Sequence, residues 1–184
     1  MTTQVLLFRG INVGGKNKVA MTDLRECLEK LGCTDVVTYL ASGNAIVDSP
    51  MPGAKLAAAL ERELPRRFHL DDELVKVLAL SPAKLRAIIS KRPKGFGDQP
   101  NMHHSDAIFL MDVGLAEAMK GFDPREGVDV VWPGDGVIYS QRLSAQRTKS
   151  RLGKAMSTPA YKSMTIRSWA TTTKLVEMLD ARKM

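Results

Sequence analysis

The sequence has few of the residues and runs that mark several classes of protein. Only two of its 184 residues are cysteines, too few and too far apart for a redox pair or a zinc knuckle. No run of about 18 apolar residues is present, so we expect no transmembrane helix. The first four residues lack the basic start of a secretory signal peptide. We therefore expect a reduced, cytoplasmic protein that does not engage a membrane.

Patterns of catalytic and metal-binding residues are also scarce. The three histidines are His69 and the adjacent pair His103-His104, and no HExxH motif or cluster at ligand spacing accompanies them. Neither Ser42 nor Ser140 lies in a nucleophile elbow. The sequence thus predicts no metal site and no cofactor, and it leaves any catalytic residue unassigned.

Positive charge is concentrated in the last quarter of the chain. Residues 1–140 carry 17 Lys and Arg against 18 Asp and Glu, whereas residues 141–184 carry 10 against 2. Such a basic segment attracts phosphate groups, as in nucleotides and nucleic acids. The alternative is a solvated helical face that binds nothing.

Apolar periodicity predicts four strands and two helices in the first 80 residues. Strands are expected at residues 4–9, 35–40, 45–47 and 73–80, with one helix after the first strand and another after the third. Thr22 is the expected N-cap of the first helix, and Pro65 should kink or end the second. This β-α-β-β-α-β order is that of the ferredoxin-like unit.

The second half repeats the same rhythm after an expected exposed loop at residues 92–105. A third helix opens at Ser81-Pro82, and later strands and helices are expected at 107–111, 114–121, 128–132, 137–141, 148–157 and 170–182. The prediction is an α+β protein with two ferredoxin-like halves, antiparallel or mixed sheets and helices packed on them. The N-terminal subdomain would span 1–91 and the C-terminal subdomain, with a basic helical tail, 92–184, unless both form one compact unit.

Residues 9–18 form a glycine-rich loop, Arg-Gly-Ile-Asn-Val-Gly-Gly-Lys-Asn-Lys, directly after the first strand. Glycine allows consecutive backbone N–H groups to turn toward an anion. The loop is one residue away from a P-loop, but Asn17 stands where a hydroxyl should bind Mg²⁺. We therefore favour an anion-binding loop that is not an NTPase site. The alternative is a connection whose glycines serve backbone geometry alone.

The second candidate region runs from Arg142 to Lys174. On a helix over 148–157, Arg147, Arg151 and Lys154 would share one face. Trp169 offers a surface on which a base could stack, although packing in the core is the alternative role for a lone tryptophan.

Several motifs together resemble the bacterial family called domain of unknown function 1697. They are residues 8–16, Thr38-Tyr39, Ser42-Gly43-Asn44, Tyr139-Ser140, Ser150-Arg151-Leu152, Pro159-Ala160-Tyr161, residues 165–169 and Lys174-Leu175. The resemblance implies an α+β fold of ferredoxin-like character and a small cytoplasmic protein, without an established activity. The chain departs from the family at Ala41 and Ser168, where glutamine and asparagine are usual.

Together these features predict a protein that binds a phosphate-bearing ligand, either a nucleotide or a nucleic-acid backbone. The predicted ligand-binding residues are Arg9, Asn12, Gly14, Gly15, Lys16, Lys18, Ser42, Asn44, Arg151, Lys154 and Arg167. The alternatives are an enzyme acting on a small phosphorylated substrate and a structural or oligomeric module without a ligand. The oligomeric state is left open.

Overall fold

A computed structural model describes residues 1–71 and 75–182. The strands are β1 Thr2–Arg9, β2 Thr34–Tyr39, β3 Asn44–Ser49, β4 Lys76–Leu80, β5 His103–Leu110, β6 Asp129–Pro133, β7 Val137–Leu143 and β8 Met164–Ser168. The α-helices are α1 Met21–Lys30, α2 Gly53–Arg67, α3 Pro82–Ser90, α4 Leu115–Met119 and α5 Trp169–Ala181. Three short 3₁₀ helices, Ser144–Lys149, Leu152–Ser157 and Pro159–Ser163, form what we call the 3₁₀ segment.

The strands form two four-stranded sheets with equivalent orders, β2-β3-β1-β4 and β6-β7-β5-β8. Every pairing in both sheets is antiparallel. The chain divides into two compact units, Met1–Leu85 with the end of the chain from Leu179, and Arg86–Met178. The predicted α+β class with two similar halves is confirmed.

The N-terminal unit packs α1 and α2 on one face of its sheet. Alternate residues of β1 carry Leu6 and Phe8 to this face, because side chains along a strand alternate between its two sides. Leu24 and Leu28 of α1 meet them in the same buried cluster, as does Leu60 of α2. These contacts follow from the helical spacing that the sequence displays.

Three detailed predictions for this unit can be compared with the structure. Thr22 is not the N-cap of α1, because the helix begins at Met21 and Ala20 precedes it without a side-chain cap. Pro65 lies inside α2. The helix does not end at the proline but two residues later, at Arg67. Of the strand predicted at 73–80, residues 73 and 74 lie outside the described residues, and β4 begins at Lys76.

In the C-terminal unit, one face of the sheet carries an aromatic cluster. Phe96 is fully buried, and its ring lies 5.1 Å from that of Tyr139 and 4.9 Å from that of Trp169, measured between centroids. The Tyr139 hydroxyl donates a hydrogen bond to the carbonyl oxygen of Ile88 at 2.6 Å. The loop predicted at 92–105 is therefore partly buried, and Trp169 takes the packing role.

The helix predicted at 148–157 is wrong. Ser150 is extended, and the N–H of Arg151 donates to the Asp129 carboxylate at 2.8 Å, so the backbone cannot continue as an α-helix. Arg147, Arg151 and Lys154 consequently do not share a helical face. The strand β8, which pairs with β5, was not predicted. Among the described residues, none of the helices has the length and apolar character needed to cross a membrane.

Candidate functional site

The glycine-rich loop is a small hairpin that follows β1. The Lys16 N–H donates to the carbonyl oxygen of Val13 at 3.0 Å, and Gly14 and Gly15 form the tip between them. Their φ angles of +58° and +77° are the successive left-handed values of a type I′ turn. A Cβ added at either glycine would meet no atom within 4 Å. Backbone conformation, rather than lack of space, therefore accounts for glycine at both positions.

Two asparagine side chains fix this hairpin to the rest of the N-terminal unit. The Asn12 amide donates to the carbonyls of Val19 (2.8 Å) and Ala41 (2.7 Å) and accepts from the Val19 N–H (2.8 Å). Asn17 donates to the carbonyl of Gly10 and exchanges two hydrogen bonds with Asp71. Both amides thus have structural partners, and a ligand would compete with them for Asn12.

The hairpin lies beside the turn between β2 and β3, as the sequence predicted. A Cβ on Gly43 would come within 2.6 Å of the Ile11 side chain, so the two segments are in close contact. Asn44 is fully buried and donates to the Tyr39 carbonyl at 2.8 Å. Ser42, Lys16 and Lys18 are exposed, which leaves these three polar side chains accessible at this end of the sheet.

The three predicted cations of the C-terminal unit have different surroundings. Arg151 and Lys154 both contact the same Asp123 oxygen, at 3.3 Å and 2.8 Å, and the hydrogen bond from Lys154 lowers the pKa of that carboxyl. Arg167 is only 7% exposed and donates to the Thr165 hydroxyl and the Ile166 carbonyl. Burial lowers the pKa of Arg167 to about 10.

The predicted ligand-binding residues are divided between the two units. Eight of them, from Arg9 to Asn44, belong to the N-terminal unit, while Arg151, Lys154 and Arg167 belong to the C-terminal unit. A single cleft that unites both sets stays a prediction.

A second group of polar residues, which sequence reasoning missed, lies at one end of the C-terminal sheet. Strand register places Asp106 of β5 opposite Ser140 of β7 and His104 opposite Arg142. All four residues project from the same face, since they alternate along their strands. His104 Nε2 lies 3.1 Å from Asp106 Oδ2. The alternation His104-x-Asp106 was the available signal, but the histidines had been assigned to a loop.

The surroundings of Asp106 shift the pKa of its carboxyl. The Asp106 side chain is 15% exposed, and burial raises the pKa of its carboxyl, an effect that the charges of His104 and Arg142 partly offset. The Arg142 Nε atom is buried and has no hydrogen-bond partner among the described residues. On the β6 side, strand register places Asp129 opposite Arg142. Arg142 therefore lies between the carboxylates of Asp106 and Asp129.

Arg142 lines two cavities. The first, which we call the arginine groove, has a volume of about 490 Å³ and is lined by His104, Arg142, Ser144, Ala145, Arg147 and Thr148. The second, which we call the inner cavity, has a volume of about 100 Å³ and lies between the sheet and the 3₁₀ segment. Asp106, Ser140 and Arg142 line it together with apolar side chains. In the part of the chain that the structure describes, no three His, Cys, Asp or Glu side chains are grouped to hold a metal ion.

The chain belongs to the family described as protein of unknown function (DUF1697), whose model matches residues 1–139. The predicted resemblance is thereby confirmed. Among solved structures, the conserved bacterial protein SP0830 from Streptococcus pneumoniae is similar, with 26% sequence identity and a TM-score of 0.78. The match covers 97% of this chain and 98% of that chain. No curated protein matches.

The family match covers the glycine-rich loop completely but only part of the arginine groove. The matched family range includes the glycine-rich loop, His104 and Asp106, and it ends at Tyr139, before Arg142 and Arg147. The similar solved structure spans nearly the whole chain. The comparisons therefore establish family and fold, and a function has to be argued from the site.

Proposed function

We propose that the protein binds a phosphate-bearing ligand and that the arginine groove is its main contact. The observation that carries this proposal is the gathering of Arg142, Arg147 and His104 with the hydroxyls of Ser144 and Thr148 around one groove. Guanidinium groups bind phosphate through paired, charge-assisted hydrogen bonds, and hydroxyls add further donors. The groove thus has the donor chemistry that a phosphate requires.

The glycine-rich loop is the other anion-binding candidate that the sequence predicts. Lys16 and Lys18 are exposed beside it. The N–H groups of Gly14 and Gly15 have no partner among the described residues, as an anion-binding turn requires. Asp71 is bonded to Asn17 of the same loop, and its negative charge weakens the attraction there. Arg142 also has the carboxylates of Asp106 and Asp129 nearby, but the C-terminal groove ranks first because two guanidinium groups line one cavity there.

Calorimetric titration with pyrophosphate tests the proposal. Replacing Arg147 with glutamine should weaken binding about tenfold or more, because a charge-assisted hydrogen bond contributes roughly 1.5–3 kcal/mol. The matched control is Lys120→Gln, which removes one positive charge from a surface pair with Glu117 in the same unit and should change affinity less than about twofold. Absence of pyrophosphate binding, or equal losses in both variants, would refute the proposal.

An enzyme acting on a small phosphorylated substrate is the second candidate, and the His104–Asp106 contact favours it. Such an enzyme needs a titratable group near the cations, and this pair lies beside Arg142. The carboxylate lies within hydrogen-bond distance of the imidazole and can orient it as a proton-transfer group. Phosphorus NMR of a panel of phosphorylated compounds incubated with the protein tests it. Turnover should be lost in His104→Gln, whereas pyrophosphate affinity should decrease less than in Arg147→Gln, and a panel without any turnover argues against an enzyme.

A further inference from the structure

We infer that the ligand is a small phosphate monoester whose short carbon chain lies in the inner cavity while its phosphate lies in the arginine groove. This inference rests on the proposed function and names the class of ligand. It excludes a nucleotide base or a nucleic-acid strand as the group that the inner cavity holds.

Arg142 is the residue that lines both cavities. Its side chain projects from the same face as Asp106 and Ser140, and it lines both the groove and the inner cavity. A phosphate held by Arg142 on the groove side is therefore adjacent to the inner cavity. Any group esterified to that phosphate has this partly open cavity as its neighbour.

The walls of the inner cavity define the chemistry of that group. Ile108, Ile166 and Leu152 give it a largely apolar lining, which suits a carbon chain. Asp106 and Ser140 are the polar exceptions on its sheet side. Because the Asp106 carboxylate accepts hydrogen bonds, the chain should carry a donor such as a hydroxyl or an ammonium group.

The size of the inner cavity limits the length of the chain. Its volume of about 100 Å³ is smaller than the ~150 Å³ cavity that accommodates benzene. A nucleobase is larger than benzene and would extend beyond this volume. A chain of about three carbons fits by the same comparison.

Gly153 offers a way to close the inner cavity without disturbing the groove. It lines the inner cavity and not the arginine groove, and a Cβ placed on it would meet no atom within 4 Å. Its φ lies outside the left-handed range, so a larger residue is accepted without backbone strain. Gly153 is exposed, and Gly153→Leu is designed to narrow the inner cavity from this lining position, with Gly153→Ala as the matched control.

The experiment compares three probes by calorimetry: inorganic phosphate, glycerol phosphate and adenosine monophosphate. Wild-type protein should bind glycerol phosphate about tenfold more tightly than inorganic phosphate, and adenosine monophosphate no more tightly than inorganic phosphate. Gly153→Leu should reduce the affinity for glycerol phosphate to the level of the affinity for inorganic phosphate. The affinity for inorganic phosphate itself should stay unchanged. Gly153→Ala should stay within about twofold of wild type, and Asp106→Asn should weaken the binding of glycerol phosphate relative to that of inorganic phosphate.

The outcomes separate this inference from the proposed function. If none of the probes binds, the proposed function fails and the inference fails with it. If inorganic phosphate binds but glycerol phosphate gains nothing, or adenosine monophosphate binds best, the inference is overturned while phosphate binding stands. Circular dichroism establishes that each variant is folded. Should Gly153→Leu unfold, the wild-type ligand comparison and Asp106→Asn decide the question.

Discussion

Asp106 is a largely buried acid that contacts a histidine. It is largely buried on a β-strand, and it contacts a histidine at 3.1 Å rather than a permanent cation. Burial dominates and raises the pKa of its carboxyl. A group whose charged form is disfavoured by its surroundings is a frequent feature of functional sites, although structural networks produce the same effect.

Asp106→Asn is predicted to alter how stability depends on pH. An acid whose pKa is raised by folding binds its proton more tightly in the native state, so its ionisation lowers the free energy of unfolding as the pH rises above the ordinary value of 3.8. The wild-type protein should therefore lose more stability than Asp106→Asn between about pH 4 and pH 7. Urea unfolding at several pH values measures this difference.

His104→Gln is the control for that measurement. The charge of His104 lowers the pKa of Asp106, so removing it should enlarge the loss of stability with rising pH. Parallel pH profiles for wild type and Asp106→Asn would contradict the assigned environment of this carboxyl.

At the scale of elements, the strands and helices of the N-terminal unit could be predicted because their signals are local. The β2-β3 hairpin and the amphipathic helices α1 and α2 follow from spacings within a few residues. The 3₁₀ segment could not be predicted in this way. Its course depends on Asp129, a residue more than 20 positions earlier in the chain, which accepts the Arg151 N–H.

Asp129→Ala should destabilise the 3₁₀ segment. The carboxylate is 5% exposed and accepts hydrogen bonds from the N–H groups of Arg125 (3.0 Å) and Arg151 (2.8 Å). Loss of both bonds from a buried site should lower the free energy of unfolding by roughly 2–4 kcal/mol. Hydrogen exchange at the Arg151 amide should accelerate, and unchanged protection there would contradict the assignment.

The same carboxylate should make the segment sensitive to acid. Burial by itself would raise the pKa of Asp129, but hydrogen bonds from Arg151, Ser150 and Arg125, with the charge of Arg142, outweigh it and lower the pKa. A depressed pKa stabilises the fold above the ordinary value of 3.8, and this stability is lost as the pH falls below it. Asp129→Asn should lack this part of the acid response.

The candidate site was only partly visible in the sequence, for reasons of strand register. The glycine-rich loop and its neighbouring turn were identified because glycine, asparagine and lysine are concentrated there. His104, Asp106 and Arg142 are separated by up to 38 positions and come together only through the pairing of β5 with β7. The positively charged segment was located from its composition, but the helix predicted within it at 148–157 is wrong.

At the scale of the whole molecule, the charge distribution makes the response to salt diagnostic. Residues 141–184 carry 10 basic and 2 acidic residues, which would favour polyanions if the charges formed a continuous track. Arg151 and Lys154 instead contact Asp123, and Arg167 is buried. This arrangement is better suited to one phosphate than to a strand.

The affinity for glycerol phosphate should consequently depend weakly on salt. A nucleic acid that contacts several phosphates would show a steep decrease, with a log–log slope of about −0.7 to −0.9 per phosphate neutralised. For a single phosphate the slope should be near −1 or shallower. Calorimetry between roughly 50 and 200 mM salt measures it, and a slope of several units would indicate a polyanion.

The two halves share one strand order, yet they cover it differently. Between β3 and β4 the chain forms the 15-residue helix α2, whereas between β7 and β8 it forms only the 3₁₀ segment. A continuous helix inserts a regular row of side chains into the sheet beneath it. The three short 3₁₀ helices form no such row, and the inner cavity lies between them and the sheet. One architecture, used twice, thereby provides one sheet covered by a long continuous helix and one beside which a cavity remains.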